Sequence, residues 1–434
     1  MRKLSKLLAA TTTMVAAAAL VAGTVTAASA DPIKTPSLTT LVGVGSDTIT
    51  PLFDNGVPGN QKGTLVHDYN ATKPGNPVAS WDAINPATGA AGETIITKAL
   101  NSKDTSCAMA RPDGSSAGIK QLDLGQTDTN KVGGQTIYCV DYARSSRGPK
   151  TTSFEDAFAA LMKDAITWSF PKVKGEKNPQ PKTLSLTQLV GIYTCKLTNW
   201  DQVGGSKAPI GVVIPQSGSG TRSSWMTMLG IPSTVTDEPC WQNGTVNIKG
   251  VATVIEENTG VSAGNVAQFT KTQKFPDGKT IPAADDIFPY SIGDWIAQLP
   301  ASKGVGGHAN SIWAHGNLNL AQILNGKIAE APTAKNAKGQ VVINPRWNTN
   351  FDRTLYGVTL NGCFVATNPT STAVCFPRST PPKGGTAYPA YQVKGLPAFL
   401  GPTGWICTNK VALADIMSYG FGRITGCGSL KAGD

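Results

Sequence analysis

The octapeptide Pro215-Gln216-Ser217-Gly218-Ser219-Gly220-Thr221-Arg222 combines residue types suited to gripping a small anion. It follows a short apolar run at 210–214 and enters a segment where Trp225, Met228 and Leu229 recur at helical spacing. Small residues at the mouth of a helix leave its first backbone N–H groups accessible. Those donors and the positive end of the helix dipole together favour an anion. The hydroxyls of Ser219 and Thr221 add donors, and Arg222 adds a charge with fork geometry. The same residues also suit a plain glycine-rich turn whose serine caps a helix.

Other chemistry lacks parts. The three histidines, His67, His308 and His315, are not spaced as two metal ligands on one helix face. His308 and His315 lie in a Gly- and Asn-rich stretch that suits a solvated loop. There is no GxSxG elbow, Walker loop or dinucleotide fingerprint. Ser169 and Lys172 match SxxK formally, but Pro171 between them opposes the helix that motif requires. The expectation is a binding protein, not an enzyme, with no catalytic residue, no metal site and no cofactor.

Residues 1–30 read as a secretory signal. Arg2, Lys3 and Lys6 form the basic start, 7–25 the apolar middle, and Ala28-Ser29-Ala30 a small-residue cleavage site. Threonines at 11–13 and at 24 and 26 interrupt the apolar run short of the ~20 residues that span a bilayer. A mature, secreted chain from Asp31, with no membrane span and no cysteine at its start to carry a lipid, is expected. Losing the three basic residues takes the formal charge from +10 to +7. That excess is spread through a chain only 15% charged, without a run of five Lys/Arg, so nucleic acid is not an expected partner.

All eight cysteines, at 107, 139, 195, 240, 363, 375, 407 and 427, lie beyond the signal, and none forms a CxxC pair. An even count in an exported chain reads as disulfides. Of many possible pairings the simplest is sequential: Cys107–Cys139, Cys195–Cys240, Cys363–Cys375 and Cys407–Cys427. Each would be structural.

These groups must be held by a larger frame. About 400 mature residues exceed one comfortable core, so two lobes are expected. Runs at 41–44, 137–142, 210–214 and 356–360 read as strands. Segments at 154–163, 186–193, 221–229 and 291–299 read as helices, the second capped by Ser185. The alternation indicates an α/β fold with largely parallel sheets. Pro- and Gly-rich passages at 54–92, 171–183 and 376–403 are connections, and no internal repeat is visible.

Several motifs in order resemble the phosphate-binding proteins of ABC importers, in the type II periplasmic-binding-protein superfamily. Residues 184–193, Lys196 to Trp200 and Val203-Gly204-Gly205 look like the segment preceding the family's phosphate loop, and Gly218 to Arg222 look like that loop. Gly43 to Thr48 is similar to its first glycine-rich anion loop and Gly114 to Leu122 to its second. Val140 to Arg147 sits where the third begins, and Phe288 to Ile292 resembles the strand crossing back between lobes. The ordered match runs from about residue 40 to 300. The closing part, with Gly404 to Cys407 and Tyr419 to Phe421, looks like actinobacterial-type relatives.

The resemblance implies a two-lobed α/β fold with mixed, mostly parallel sheets and hinge crossovers. Its expected division is signal 1–30, first lobe 31–166, second lobe 167–290, and first lobe again with a C-terminal extension at 291–434. It implies a monomeric extracellular solute-binding protein that closes on a small oxyanion, phosphate above others, for uptake by an ABC permease. A secreted anion scavenger or signalling protein without a transporter is the alternative, and a secreted hydrolase a more remote one. Carried over by position, the ligand donors are Thr48 beside Asp47, Ser115, Ser219, Gly220 and Thr221. Two positions depart from the pattern: Ser146 stands where the family has its binding aspartate, and Pro215 where it has a loop arginine. Asp47 is then the candidate acceptor, and Arg144, Arg147 and Arg222 the candidate cations, with surface solvation the competing role for Arg144 and Arg147.

Overall fold

The computed structural model describes residues 31–433 except 33, 55–61, 87, 100–106, 128–130, 133–134, 137, 151–155, 249–250, 263–265, 268, 270–271, 311 and 361–389. The signal segment, the expected Cys363–Cys375 pair and part of the 376–403 passage lie outside the described residues. Among the described residues no helix is long and apolar enough to cross a membrane.

Ten strands form one continuous sheet: β1 (Leu41–Gly45), β2 (Val78–Ser80), β3 (Tyr142–Ser145), β4 (Asp156–Pro171), β5 (Gly211–Ile214), β6 (Trp241–Asn243), β7 (Asp286–Ser291), β8 (Leu318–Leu320), β9 (Asp352–Leu360) and β10 (Leu430–Gly433). Its order is β6-β5-β7-β4-β9-β3-β1-β2, with β8 and β10 also on β4. Both ends are parallel, β2-β1-β3 on one side and β6-β5-β7 on the other. The middle is antiparallel, because β4 pairs with β9 from Asp156 to Ala165 and with β7 from Ile166 to Ser169.

β4 joins two bodies. A first core gathers Leu41, Phe53, Tyr142, Phe158, Met162, Val358 and Phe399, while a second gathers Ile166, Trp168, Trp200, Ile214, Trp225 and Phe351. At ~3.3 Å per residue a 16-residue strand reaches across both. The sequence predicts a helix over 154–163, and the structure has this strand instead. Ala, Leu and Met favour a helix when exposed, but here the segment is buried along nearly its whole length, as in a strand covered on both faces. Long-range pairing outweighs local propensity.

Past β7 the chain packs against both cores. Strand β7 passes directly into α4 (Ile292–Ala297), whose Ile292 and Ile296 pack in the second core with Trp347. Strand β8 then pairs with the C-terminal end of β4. Ala297 and Trp313 lie in the first core, and β9 begins on β4 at Asp352.

Other elements stand where apolar spacing places them, except that the strand expected over 137–142 forms at Tyr142–Ser145, where β3 pairs with β1 and β9. Helix α2 (Leu186–Tyr193) begins at a reciprocal box, Ser185 Oγ accepting from Gln188 N and the Gln188 side chain returning to Ser185 N. Helix α3 (Gly220–Met228) follows β5, and α1 (Ser115–Thr127) precedes β3. Three disulfides, Cys107–Cys139, Cys195–Cys240 and Cys407–Cys427, are formed in the sequential pairing. Each closes a short loop of chain, which stabilises chiefly by restricting the unfolded state.

Candidate functional site

Three turns of the first body meet two of the second. From the first come Ser46–Thr48 after β1, Asp113–Ser115 before α1, and Ser146 after β3. From the second come Pro215–Thr221 after β5 and the segment 255–260. They meet backbone to backbone. Ser116 N donates to Gly218 O at 3.1 Å, and a Cβ placed on Gly218 would strike the Asp113 carbonyl oxygen. Only glycine permits this approach.

At the centre of the meeting point sits the carboxylate of Glu257, 1% exposed. Its Oε1 accepts from Thr48 Oγ1 at 2.9 Å and from Thr48 N at 3.3 Å. Its Oε2 accepts from Thr221 N at 2.7 Å and from Ser219 Oγ. A first-turn N–H of α3 therefore holds an oxyanion, as helix-terminus electrostatics favour. Ser219 also caps α3, accepting from Arg222 N at 2.9 Å, so the two roles open for this loop are both filled.

A second layer fixes these donors. Asn258 Nδ2 donates to Thr48 Oγ1 at 2.8 Å and to Thr221 Oγ1 at 3.0 Å, and its Oδ1 accepts from Ser291 N at 2.8 Å. Arg353 Nη1 donates to Thr221 Oγ1 at 3.0 Å and to Ser146 O at 3.2 Å. Because Thr48 gives its hydroxyl proton to Glu257, the 3.3 Å contact between Thr48 and Thr221 has Thr221 as donor. Ser115 Oγ accepts from Ser146 N at 3.0 Å and lies 3.2 Å from Ser146 Oγ, both against Gly220.

The structure thus brings together Thr48, Ser115, Ser146, Ser219, Gly220 and Thr221. It places the three sequence-selected arginines elsewhere. Arg144 is buried against the Gly45 carbonyl, Ser80 Oγ, Thr50 Oγ1 and the Trp81 carbonyl, tying β3 to the turn after β1. Arg147 donates to Ser116 Oγ and Gly148 O, both at 3.0 Å. Arg222 props the loop from behind, reaching Asn243 Oδ1 and Thr236 O, both at 2.6 Å, and Pro215 O at 3.0 Å. The cation at the site is Arg353, whose Nε donates to Asp164 Oδ2 at 2.8 Å. Sequence reading passed over Glu257, Asn258, Asp164 and Arg353. The adjacent Glu256-Glu257-Asn258 in a chain 15% charged was the one visible signal.

Asp47 faces a different group. Gln216 Nε2 donates to Asp47 Oδ2 at 3.2 Å and to Asp113 Oδ1 at 2.8 Å. Asp47, Asp113 and Glu256 each bring one oxygen within 4.8 Å of the others, the spacing at which carboxylates share a cation or protons. Burial, reinforced by neighbouring carboxylates, holds Asp47 and Glu256 well above the ordinary range and raises Asp113 to about 6. The folded state therefore binds more protons than the unfolded chain between the ordinary carboxylate range and these raised values. Stability must fall as pH rises through that window. We expect a melting temperature at least about 3 °C higher near pH 5 than near pH 8, and a flatter profile for Asp113→Asn. A parent profile level over that range would show that the group binds no excess protons.

The family model described as a PBP superfamily domain matches residues 83–338. Among solved structures, an ABC-type phosphate transport receptor from Vibrio cholerae is 16% identical, covering 88% of this chain and 100% of its own, at a TM-score of 0.40. A putative phosphate ABC transporter substrate-binding protein from Clostridium perfringens, with bound phosphate, is 15% identical over 89% of this chain and 100% of its own, at 0.43. No curated protein matches.

Proposed function

Because this chain belongs to the PBP superfamily, whose domain model spans more than half of it, we propose that it binds a small oxyanion, phosphate first, between its two lobes. The observation that supports this reading is the cradle itself: donors from both lobes, Thr48 N and Oγ1, Ser219 Oγ and Thr221 N, converge on one carboxylate. Backbone and hydroxyl donors held in place by their own partners stabilise an anion without reorganising, so dense hydrogen bonding replaces a full countercharge. Phosphate is the anion that the ordered motifs imply. Ser115 and Ser146, packed against Gly220 beside these donors, join the ligand set in this reading, with Arg353 as the cation that Pro215 does not supply. Hinge closure along β4 and β9 would desolvate the ligand. Secretion, a monomeric state, delivery to a membrane permease and the lack of a catalytic step belong to this same reading.

Titrating phosphate and sulfate into the protein and into its Glu257→Ala variant tests it by calorimetry. Saturable one-site binding to either form is expected, and in the Glu257→Ala form, where no resident carboxylate shares the donor, Thr48→Ala should weaken it about tenfold or more, since a hydrogen bond to a charged group contributes roughly 1.5–3 kcal/mol. Absence of binding to both forms would overturn the proposal.

A further inference from the structure

The donors that recommend this cleft for a free oxyanion are already engaged by the protein's own Glu257. Thr221 N carries a single hydrogen, and it points at Glu257 Oε2 at 2.7 Å. Thr48 Oγ1 likewise has one proton, directed at Oε1 at 2.9 Å. Neither can serve a second anion while Glu257 stays. The carboxylate also reaches across the cleft, because its segment is tied to the turn after β5 by Gln216 N donating to Ile255 O at 3.0 Å, whereas Thr48 follows β1.

We propose that Glu257 is a tethered ligand: it fills the oxyanion cradle of its own protein, holds the two lobes closed, and yields only to a free oxyanion that displaces it. This rests on the anion-binding reading above. The backbone on which Glu257 rides is fixed at Asn258, whose amide holds Thr48 and Thr221 and whose carbonyl oxygen accepts from Gln298 Nε2 at 2.8 Å. Exchange is therefore a swing of the Glu257 side chain over a stationary loop. Apparent affinity for a free anion is lowered by the fraction of time the cradle stands vacated. Every entrant must outcompete a carboxylate held at high effective concentration, which lowers the affinity of all anions by one common factor and raises the concentration at which any of them fills the cradle.

The test compares the parent with Glu257→Ala and Glu257→Gln, by calorimetric titration of inorganic phosphate and of sulfate near pH 7 and by small-angle scattering without ligand. Both variants should bind at least about tenfold more tightly than the parent. Ligand-free Glu257→Ala should scatter as a more open particle that closes on adding phosphate. Parent affinity equal to or higher than that of both variants would overturn the proposal and make Glu257 part of the ligand-binding set. If no form binds either anion, the anion-binding reading fails by itself. Scattering then still judges the clamp, and an unchanged ligand-free radius overturns it. Should the alanine variant fail to fold, glutamine, which keeps the volume and removes the charge, carries the same comparison.

Discussion

Asp164→Asn should lower the stability of the whole molecule by about 3–5 kcal/mol, the usual effect of removing one partner from a buried ion pair. Asp164 is fully buried on β4, at the point where that strand passes from one body to the other. Its Oδ2 accepts from Arg353 Nε and from Ser291 Oγ, both at 2.8 Å, and its Oδ1 from Gly293 N at 3.0 Å. One carboxylate thus joins β4, β9 and the entry to α4. Asparagine keeps the shape but turns one oxygen into a donor facing donors. It also leaves the Arg353 guanidinium, 4% exposed, without its countercharge. Urea unfolding should show a reduced midpoint at unchanged slope. A midpoint equal to that of the parent would mean that Arg353 finds another anion or water. The same variant should weaken oxyanion binding, because Arg353 positions Thr221 Oγ1 at 3.0 Å.

Gly218→Ala should leave each lobe folded and prevent the two from meeting. The added Cβ would strike the Asp113 carbonyl oxygen and lie 3.3 Å from the Asp113 carbonyl carbon, both backbone atoms of the opposite body. Backbone cannot rotate aside as a side chain can, so relief comes from separation of the lobes. Separation withdraws Thr48, Ser115 and Ser146 from the anion. With a charged hydrogen bond contributing roughly 1.5–3 kcal/mol, losing more than one should lower affinity by at least about 100-fold. Small-angle scattering should report an expanded particle. Parent-like scattering and affinity would show that the turn shifts without opening the cleft.

Much of the architecture was legible along the chain because its causes are local. Ser185 and Gln188 mark the start of α2 by their own reciprocal bonds, and the apolar spacing of Trp225 and Met228 marks α3. The cysteine order was enough for the three described disulfides, since each joins neighbours in the cysteine series. Ser219, Gly220 and Thr221 announced an anion-binding helix start because the donors there belong to one turn of backbone. What the tertiary structure decided lies at long separation. Strand β4 is extended because β7 and β9 flank it, a pairing that no window of its own sequence contains. Arg144, Arg147 and Arg222 looked like ligand cations because charge is visible in a sequence and direction is not. The fold turns each of them to nearby carbonyl or hydroxyl oxygens. Arg353, 132 residues from Thr221, and Glu257, 209 residues from Thr48, enter the cradle only because two bodies close across it. Residue types and their local spacing determined that this protein can hold an oxyanion at a helix start. Which oxyanion holds that place, a carboxylate of its own chain, was decided by the closure of the fold, since only burial brings Glu257 within reach of all four donors.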